Sequence, residues 1–185
     1  MRFPAVRMFS VEINSIRKFA DVDINQKKTK VAISPLGRKA GRIFHVGVLI
    51  QTDIREKSAI ARISDKYGGY ILMAHPIYNS QPYTMLKDAT IPCHVAVVGK
   101  PRTRDGFSRP FVKPEFVSIV SSKEAEIWEK EAMVSTENAI KALEKGGKSE
   151  YPEDEVKKLI EIFRKEEKEE TEKDVYEIIE EELGF

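Results

Sequence analysis

Through the middle of the chain apolar and polar residues alternate in short runs, and after Val120 the spacing of apolar positions changes to three and four. The alternation predicts strands over residues 43–51, 59–64, 70–75, 94–98 and 111–120, each starting a few residues past a glycine or a polar break. Arg55-Glu56-Lys57-Ser58 predicts a polar turn between the first two strands, and Gly68-Gly69 a tight turn between the second and third. Residues 78–89 interrupt the alternation with Pro82, Met85 and Leu86. That composition suits a longer connection containing one or two helical turns.

Beyond Val120 the pattern predicts a helix of about six turns, with Ser122 as N-cap, Glu124 and Glu126 in its first turns and Gly146-Gly147 as its stop. Its apolar stripe runs Ala125, Trp128, Ala132, Thr136, Ala139, Ile140 and Leu143, widened by Met133 and Val134. The small residues in mid-stripe allow a second helix to approach closely, as in a bundle; packing back onto the chain's own barrel is the competing expectation. Residues 147–185 are charge-dense, with one amphipathic turn pair at Val156, Leu159, Ile160 and Phe163 and another at Val175, Ile178, Ile179 and Leu183. They are expected to form an acidic linker or helical tail whose last segment is the first helix of a further small domain that this chain does not contain. Residues 3–16 have β-like apolar spacing, and residues 31–43 are basic, with Arg38, Lys39 and Arg42 close together. Residues 1–42 are therefore expected to pack on the following domain as an extension with an extra hairpin.

Three meandering strands, a longer link and a final hairpin are the element order of the OB-fold. An SH3-like barrel also has five strands, but its connections are shorter than the roughly fifteen residues between Pro76 and Pro92. The expected fold class is mainly β: a five-stranded OB-fold barrel over 43–120, with the N-terminal extension before it and a C-terminal amphipathic helix, assigned to oligomerisation, over 121–146.

Charge sharpens the functional expectation. Residues 1–120 carry 20 Lys and Arg against 9 Asp and Glu, whereas residues 121–185 carry 11 against 21. A basic body suits a polyanion, and nucleic acid is the first to consider. No run of about 18 apolar residues could span a bilayer and no secretory signal is recognisable, so an intracellular, cytoplasmic and nucleoid-associated protein is expected. Cys93 is the sole cysteine, and its neighbour His94 would point to the opposite face of a strand, so no metal is expected. Asp53, Asp65, Asp88 and Asp105 are scattered through turns, and no phosphate-binding glycine loop or nucleophile arrangement is recognisable. The expectation is a binding protein rather than an enzyme, without a cofactor.

Single strands are held by cations that track phosphates and by rings on which bases stack. Phe107 stands between Arg102, Arg104 and Arg109 in the final hairpin and is the first stacking candidate. Tyr70 and His75 share the third strand on opposite faces, and Tyr67 and Tyr78 flank it; each tyrosine is as readily a core residue. Arg55, Lys57, Arg62, Lys66 and Lys100 are the remaining candidate phosphate contacts.

The runs Val46-Gly47-Val48-Leu49, Ala61-Arg62-Ile63-Ser64-Asp65, Val97-Val98-Gly99-Lys100-Pro101-Arg102 and Pro114-Glu115-Phe116-Val117, followed by a Trp-bearing helix, resemble the middle subunit of archaeal replication protein A and the OB proteins associated with that complex. The resemblance covers roughly residues 3–145 and lies in the order and spacing of the blocks. It implies a heterotrimeric single-stranded-DNA-binding complex serving replication, repair and recombination. The partners it implies are single-stranded DNA, two other OB-fold subunits joined through a three-helix bundle, and repair or replication proteins. Trp128, Ala132, Met133, Thr136, Ala139, Ile140 and Leu143 would then be the bundle contacts. A scaffold subunit that joins its partners and touches DNA little has the same sequence pattern, and an RNA-directed OB-fold shares the phosphate chemistry.

Overall fold

A computed structural model describes residues 4–165 of the chain. The chain divides after Glu150 into two units, and each is described by itself.

In the first unit, β5 (Arg42–Arg55), β6 (Ser58–Asp65) and β7 (Gly68–Ala74) form the meander, α2 (Ser80–Asp88) is the link, and β8 (Cys93–Arg102) and β9 (Phe111–Ile119) form the last hairpin. Hydrogen bonding runs β5-β6-β7-β9-β8, and β8 returns to β5, which closes a five-stranded barrel. β7 and β9 are parallel, meeting at Leu72 and Val112; every other barrel pairing is antiparallel. Alternation, shifted by one residue at bulges in β5 and β9, builds the interior: Ile43, Leu49, Ala59, Ala61, Ile63, Tyr70, Leu72, Val95, Val97, Val112 and Val117 are buried in one cluster. The β5–β6 turn falls at Glu56-Lys57, as expected, while the β6–β7 turn is Lys66-Tyr67. Gly68 and Gly69 instead open β7: Gly68 has φ +134°, and a Cβ on Gly69 would lie 2.9 Å from the Ile63 carbonyl.

The extension is more elaborate than a hairpin. β1 (Ala5–Arg7) pairs in parallel with the start of β5, and the short helix α1 (Ser10–Asn14) follows. β2 (Lys18–Ile24), β3 (Lys27–Ile33) and β4 (Lys39–Ala40) then form a separate three-stranded sheet. The β2–β3 loop has two residues, Asn25 and Gln26, both with positive φ (50° and 65°), the turn whose twist matches that of the flanking strands.

Helix α3 (Ser122–Glu144) begins one residue earlier than its sequence suggests. Ser121 is the N-cap: its hydroxyl accepts from the Glu124 amide while the Glu124 carboxylate accepts from the Ser121 amide, a reciprocal capping box. Part of its apolar stripe packs within the chain. Trp128, Ala132, Thr136 and Ile140 are buried within this chain, Trp128 to 4% exposure. The Trp128 ring meets Phe9 at 5.4 Å, His45 at 5.0 Å and Phe44 at 6.2 Å, all edge-to-face. Arg38 pairs with the fully buried Glu12 and donates to Ser135 Oγ at 3.0 Å; Arg7 binds Glu131 at 2.6 Å. Met133, Ala139 and Leu143 are half-buried, and Met133 Sδ accepts from the Tyr67 hydroxyl. The helix therefore folds back on its own barrel and extension, which takes up Trp128, Ala132, Thr136 and Ile140 and leaves Met133, Ala139 and Leu143 half-exposed.

In the second unit residues 153–165 are helical, with Val156, Leu159 and Phe163 buried and Ile160 half-buried. The further turn pair expected at Val175–Leu183 lies outside the described residues.

Candidate nucleic-acid interface

Because Leu72 and Val112 point inward, their neighbours Ile71, Met73, Phe111 and Lys113 point outward. The antiparallel registers extend this outer face on both sides. One row reads Arg102, Phe111, Ile71, Arg62; the next reads Lys100, Lys113, Met73, Ile60. The result is an apolar strip across β6, β7 and β9 with cations at its flanks. Gly69 keeps the strip open, since a side chain there would press on the Arg62 guanidinium at 3.2 Å.

The β8–β9 loop leaves this face at its Arg102–Phe111 end. Phe107 is 56% exposed, its amide donates to the Arg104 carbonyl at 3.0 Å, and the Arg104 guanidinium lies 5.8 Å from its ring centroid. Arg104 and Arg109 are exposed. Arg102 is partly buried and donates to the Pro101 carbonyl; burial draws its pKa down, with Glu115 opposing that shift.

Beyond the other end of β7, His75 and Tyr78 face each other with ring centroids 4.8 Å apart. Tyr78 is 76% exposed, and Lys113 Nζ lies 6.0 Å from its ring centroid.

Several candidates lie elsewhere. Tyr70 is a core residue, 1% exposed, with its ring 4.9 Å from His45; burial raises its hydroxyl pKa well above the ordinary value. Tyr67 packs edge-on to Phe9 at 4.9 Å, and Lys66 binds Glu129 at 3.1 Å, so both face α1 and α3 rather than the strip. Arg55, at the β5–β6 turn with Lys57, is paired with Asp53 at 2.7 Å. Lys100 lies on the face but shares Glu115 with Arg42. Burial pushes the Glu115 carboxyl up, yet the bonds from Arg42 and Lys100 outweigh that and hold it below its usual range.

Sequence reasoning missed Phe111, Lys113, Ile71, Met73 and Ile60. Alternation assigns each to the outer face of its own strand, but only the parallel β7–β9 register makes them neighbours.

One buried joint supports this arrangement from behind. His45, wholly buried, places Nε2 2.9 Å from Asp65, which also accepts from the Ser10 amide and hydroxyl and the Tyr67 amide. It ties the extension to the β6–β7 turn beneath Trp128. Among the described residues no group of three or more His, Cys, Asp or Glu side chains could hold a metal ion, and no helix is long and apolar enough to cross a membrane.

No protein-family model and no curated protein matches the chain. Solved structures do. A chain from the Stn1–Ten1 complex of S. pombe aligns with a TM-score of 0.61 at 15% identity, covering 78% of this chain and all of that one. A chain from a replication protein A heterotrimer bound to single-stranded DNA aligns with a TM-score of 0.53 at 12% identity, covering 74% of this chain and 98% of that one. At such identities the likeness establishes the fold: an OB-fold barrel of the kind found in those two complexes. Both alignments cover more of the chain than its barrel strands, so the likeness extends into the flanking elements.

Proposed function

We propose that this chain is an OB-fold subunit of a replication protein A-like complex and binds single-stranded nucleic acid across the outer face of β6, β7 and β9. The observation that carries the reading is the exposed Phe107 ring beside Arg104, on the loop at one end of a face that sets Ile71, Met73 and Phe111 among Arg62, Arg102 and Lys113. A base has a ring to stack on and aliphatic surface to cover, while its phosphates meet guanidinium and ammonium groups. DNA is preferred over RNA because the sequence blocks resemble the archaeal middle subunit; roles in replication, repair and recombination follow from the same resemblance. Partner OB-fold subunits belong to the proposal, since both structural neighbours come from complexes of more than one chain. With Trp128, Ala132, Thr136 and Ile140 seated within the chain, those partners are expected to meet the half-exposed side of α3 at Met133, Ala139 and Leu143, or other surfaces.

The test is fluorescence anisotropy of the full chain with labelled single-stranded DNA, duplex DNA and matched RNA across a salt series. Preference for the single strand, falling steeply with salt, is expected. Phe107→Ala with Arg104→Ala should weaken binding at least about 5-fold, the equivalent of one lost stacking contact of about 1 kcal/mol. A folded chain with no preference for single strands would overturn the reading and leave a scaffold subunit in its place.

A further inference from the structure

Five residues between β7 and α2, His75 to Asn79, form a short loop held at both ends. The Asn79 amide donates to the His75 carbonyl at 2.8 Å, and Asn79 Oδ1 accepts from the His75 amide at 3.2 Å. The buried Asn79 side chain also donates to the Pro114 carbonyl of β9 at 2.9 Å, pinning the loop to the barrel. Within it the Ile77 amide donates to His75 Nδ1 at 3.1 Å, which sets the orientation of the imidazole. This fixed loop holds Ile77 and Tyr78 out at 76% exposure each, with the imidazole behind the Tyr78 ring and Lys113 within reach of its face. A rigid exposed ring, ordered before it meets a ligand, loses little freedom on binding.

We infer that the His75–Tyr78 pair, with Lys113, is a second base-stacking platform, where one nucleobase stacks on the Tyr78 ring while its phosphate meets Lys113. The inference rests on the strand-binding reading of the outer face and adds a position and a path to it. Lys113 lies two residues along β9 from Phe111, about 7 Å, and Phe111 lies next to the loop that carries Phe107. Phe107, Phe111 and Tyr78 thus follow the course of β9. The ligand strand runs along β9, and only a strand long enough to pass Phe111 reaches Tyr78.

The experiment compares full-length wild-type protein, Tyr78→Ala, Tyr78→Phe, Ile77→Ala, Lys113→Ala and Phe107→Ala, each on oligothymidylates of about 4 and about 16 nucleotides, the limits of OB-fold site sizes. Unchanged Trp128 fluorescence confirms that each variant is folded. Tyr78→Ala should weaken binding of the longer strand about 5- to 150-fold and leave the shorter one, held at Phe107, within about 2-fold. Tyr78→Phe should retain affinity, because the ring rather than the hydroxyl is used, and Ile77→Ala should change little. Lys113→Ala should lower the slope of log affinity against log salt by about one phosphate contact. If Phe107→Ala weakens binding while Tyr78→Ala leaves both strands unaffected, the platform is overturned, the face survives, and the loop is turned toward a protein instead. Failure of the wild type to bind either strand overturns the strand-binding reading itself, and the platform with it.

Discussion

Replacing Asp65 with alanine tests the joint beneath Trp128. The carboxylate accepts from the Ser10 amide at 2.7 Å, the Ser10 hydroxyl at 2.6 Å and the Tyr67 amide at 2.9 Å, and His45 Nε2 lies 2.9 Å away. Ser10 and His45 are fully buried, so alanine strands polar groups that water cannot readily reach. Each stranded group costs about 1–3 kcal/mol, and the substitution strands several at once, so a loss of about 4 kcal/mol is expected. Asparagine keeps one acceptor oxygen and should lose about 1–3 kcal/mol. The assay is urea unfolding followed by the fluorescence of Trp128, the only tryptophan, whose ring lies 5.0 Å from that of His45. With a urea dependence of about 2 kcal/mol per molar, the alanine midpoint should fall by about 2 M. The pH dependence supplies an independent check. Burial alone would raise the Asp65 pKa, but hydrogen bonds from His45 and Ser10 more than offset it and hold the carboxyl below its usual range. A depressed folded-state pKa stabilises the protein above the unfolded value of about 3.9, and that contribution is lost as pH falls through the folded-state value. The difference between wild type and Asp65→Ala should be complete at neutral pH and shrink below about pH 4. An alanine penalty under about 1 kcal/mol, or one that is unchanged in acid, would refute the reasoning.

Three further expectations follow from the same geometry. Trp128→Ala should destabilise the isolated chain by about 3–5 kcal/mol in thermal or urea melts, because the ring fills a seat within the chain; an unchanged melt with loss of partner co-purification would favour an intermolecular role. Gly99→Ala should cost about 1–3 kcal/mol by overpacking, since its Cβ would lie 2.7 Å from both the Lys113 carbonyl and Val112; equal stability to wild type would contradict that crowding. Glu115→Gln should free Lys100 and Arg42 and tighten single-strand binding at low salt with a steeper salt dependence, read by anisotropy; weaker binding would place Glu115 in the contact instead.

Much of the barrel is legible in the sequence because a strand with one buried face must alternate: β6, β7 and β8 do so throughout, and β5 and β9 do so on either side of a bulge. The Glu56-Lys57 turn is an equally local signal, whereas the helix start is legible only to within a residue, because Ser121 and Ser122 are adjacent and the capping box with Glu124 selects Ser121. The seat of α3 is not local. A stripe such as Trp128, Ala132, Thr136 and Ile140 has the same spacing whether it covers a partner's helices or its own barrel, and only Phe9, Arg38 and His45, distant in sequence, decide between them. Tyr70 and Tyr78 likewise look alike as residue types: one lies on the inward phase of β7, the other beyond the strand's end on a loop. The sequence points to a hairpin in the extension but not to its bounds, because the β2–β3 turn uses Asn25-Gln26 without glycine and its strands are heavily charged. Phe111 and Lys113 escaped because a parallel pairing leaves no turn to announce it.

The seat of α3 also bears on how the chain comes to be folded. Phe9, Arg38, Phe44 and His45 lie in the first 45 residues, whereas Trp128 and Ser135 are made about 80 to 120 residues later. β5 likewise waits for β8, with Ile43 pairing to Gly99. Contacts so distant in sequence form late and slowly. During synthesis the first half of the molecule therefore exposes an apolar, partly charged hollow until α3 emerges to fill it. A fragment ending at Val120 would hold every barrel strand and still leave Phe9, Phe44 and His45 uncovered, a surface inviting self-association.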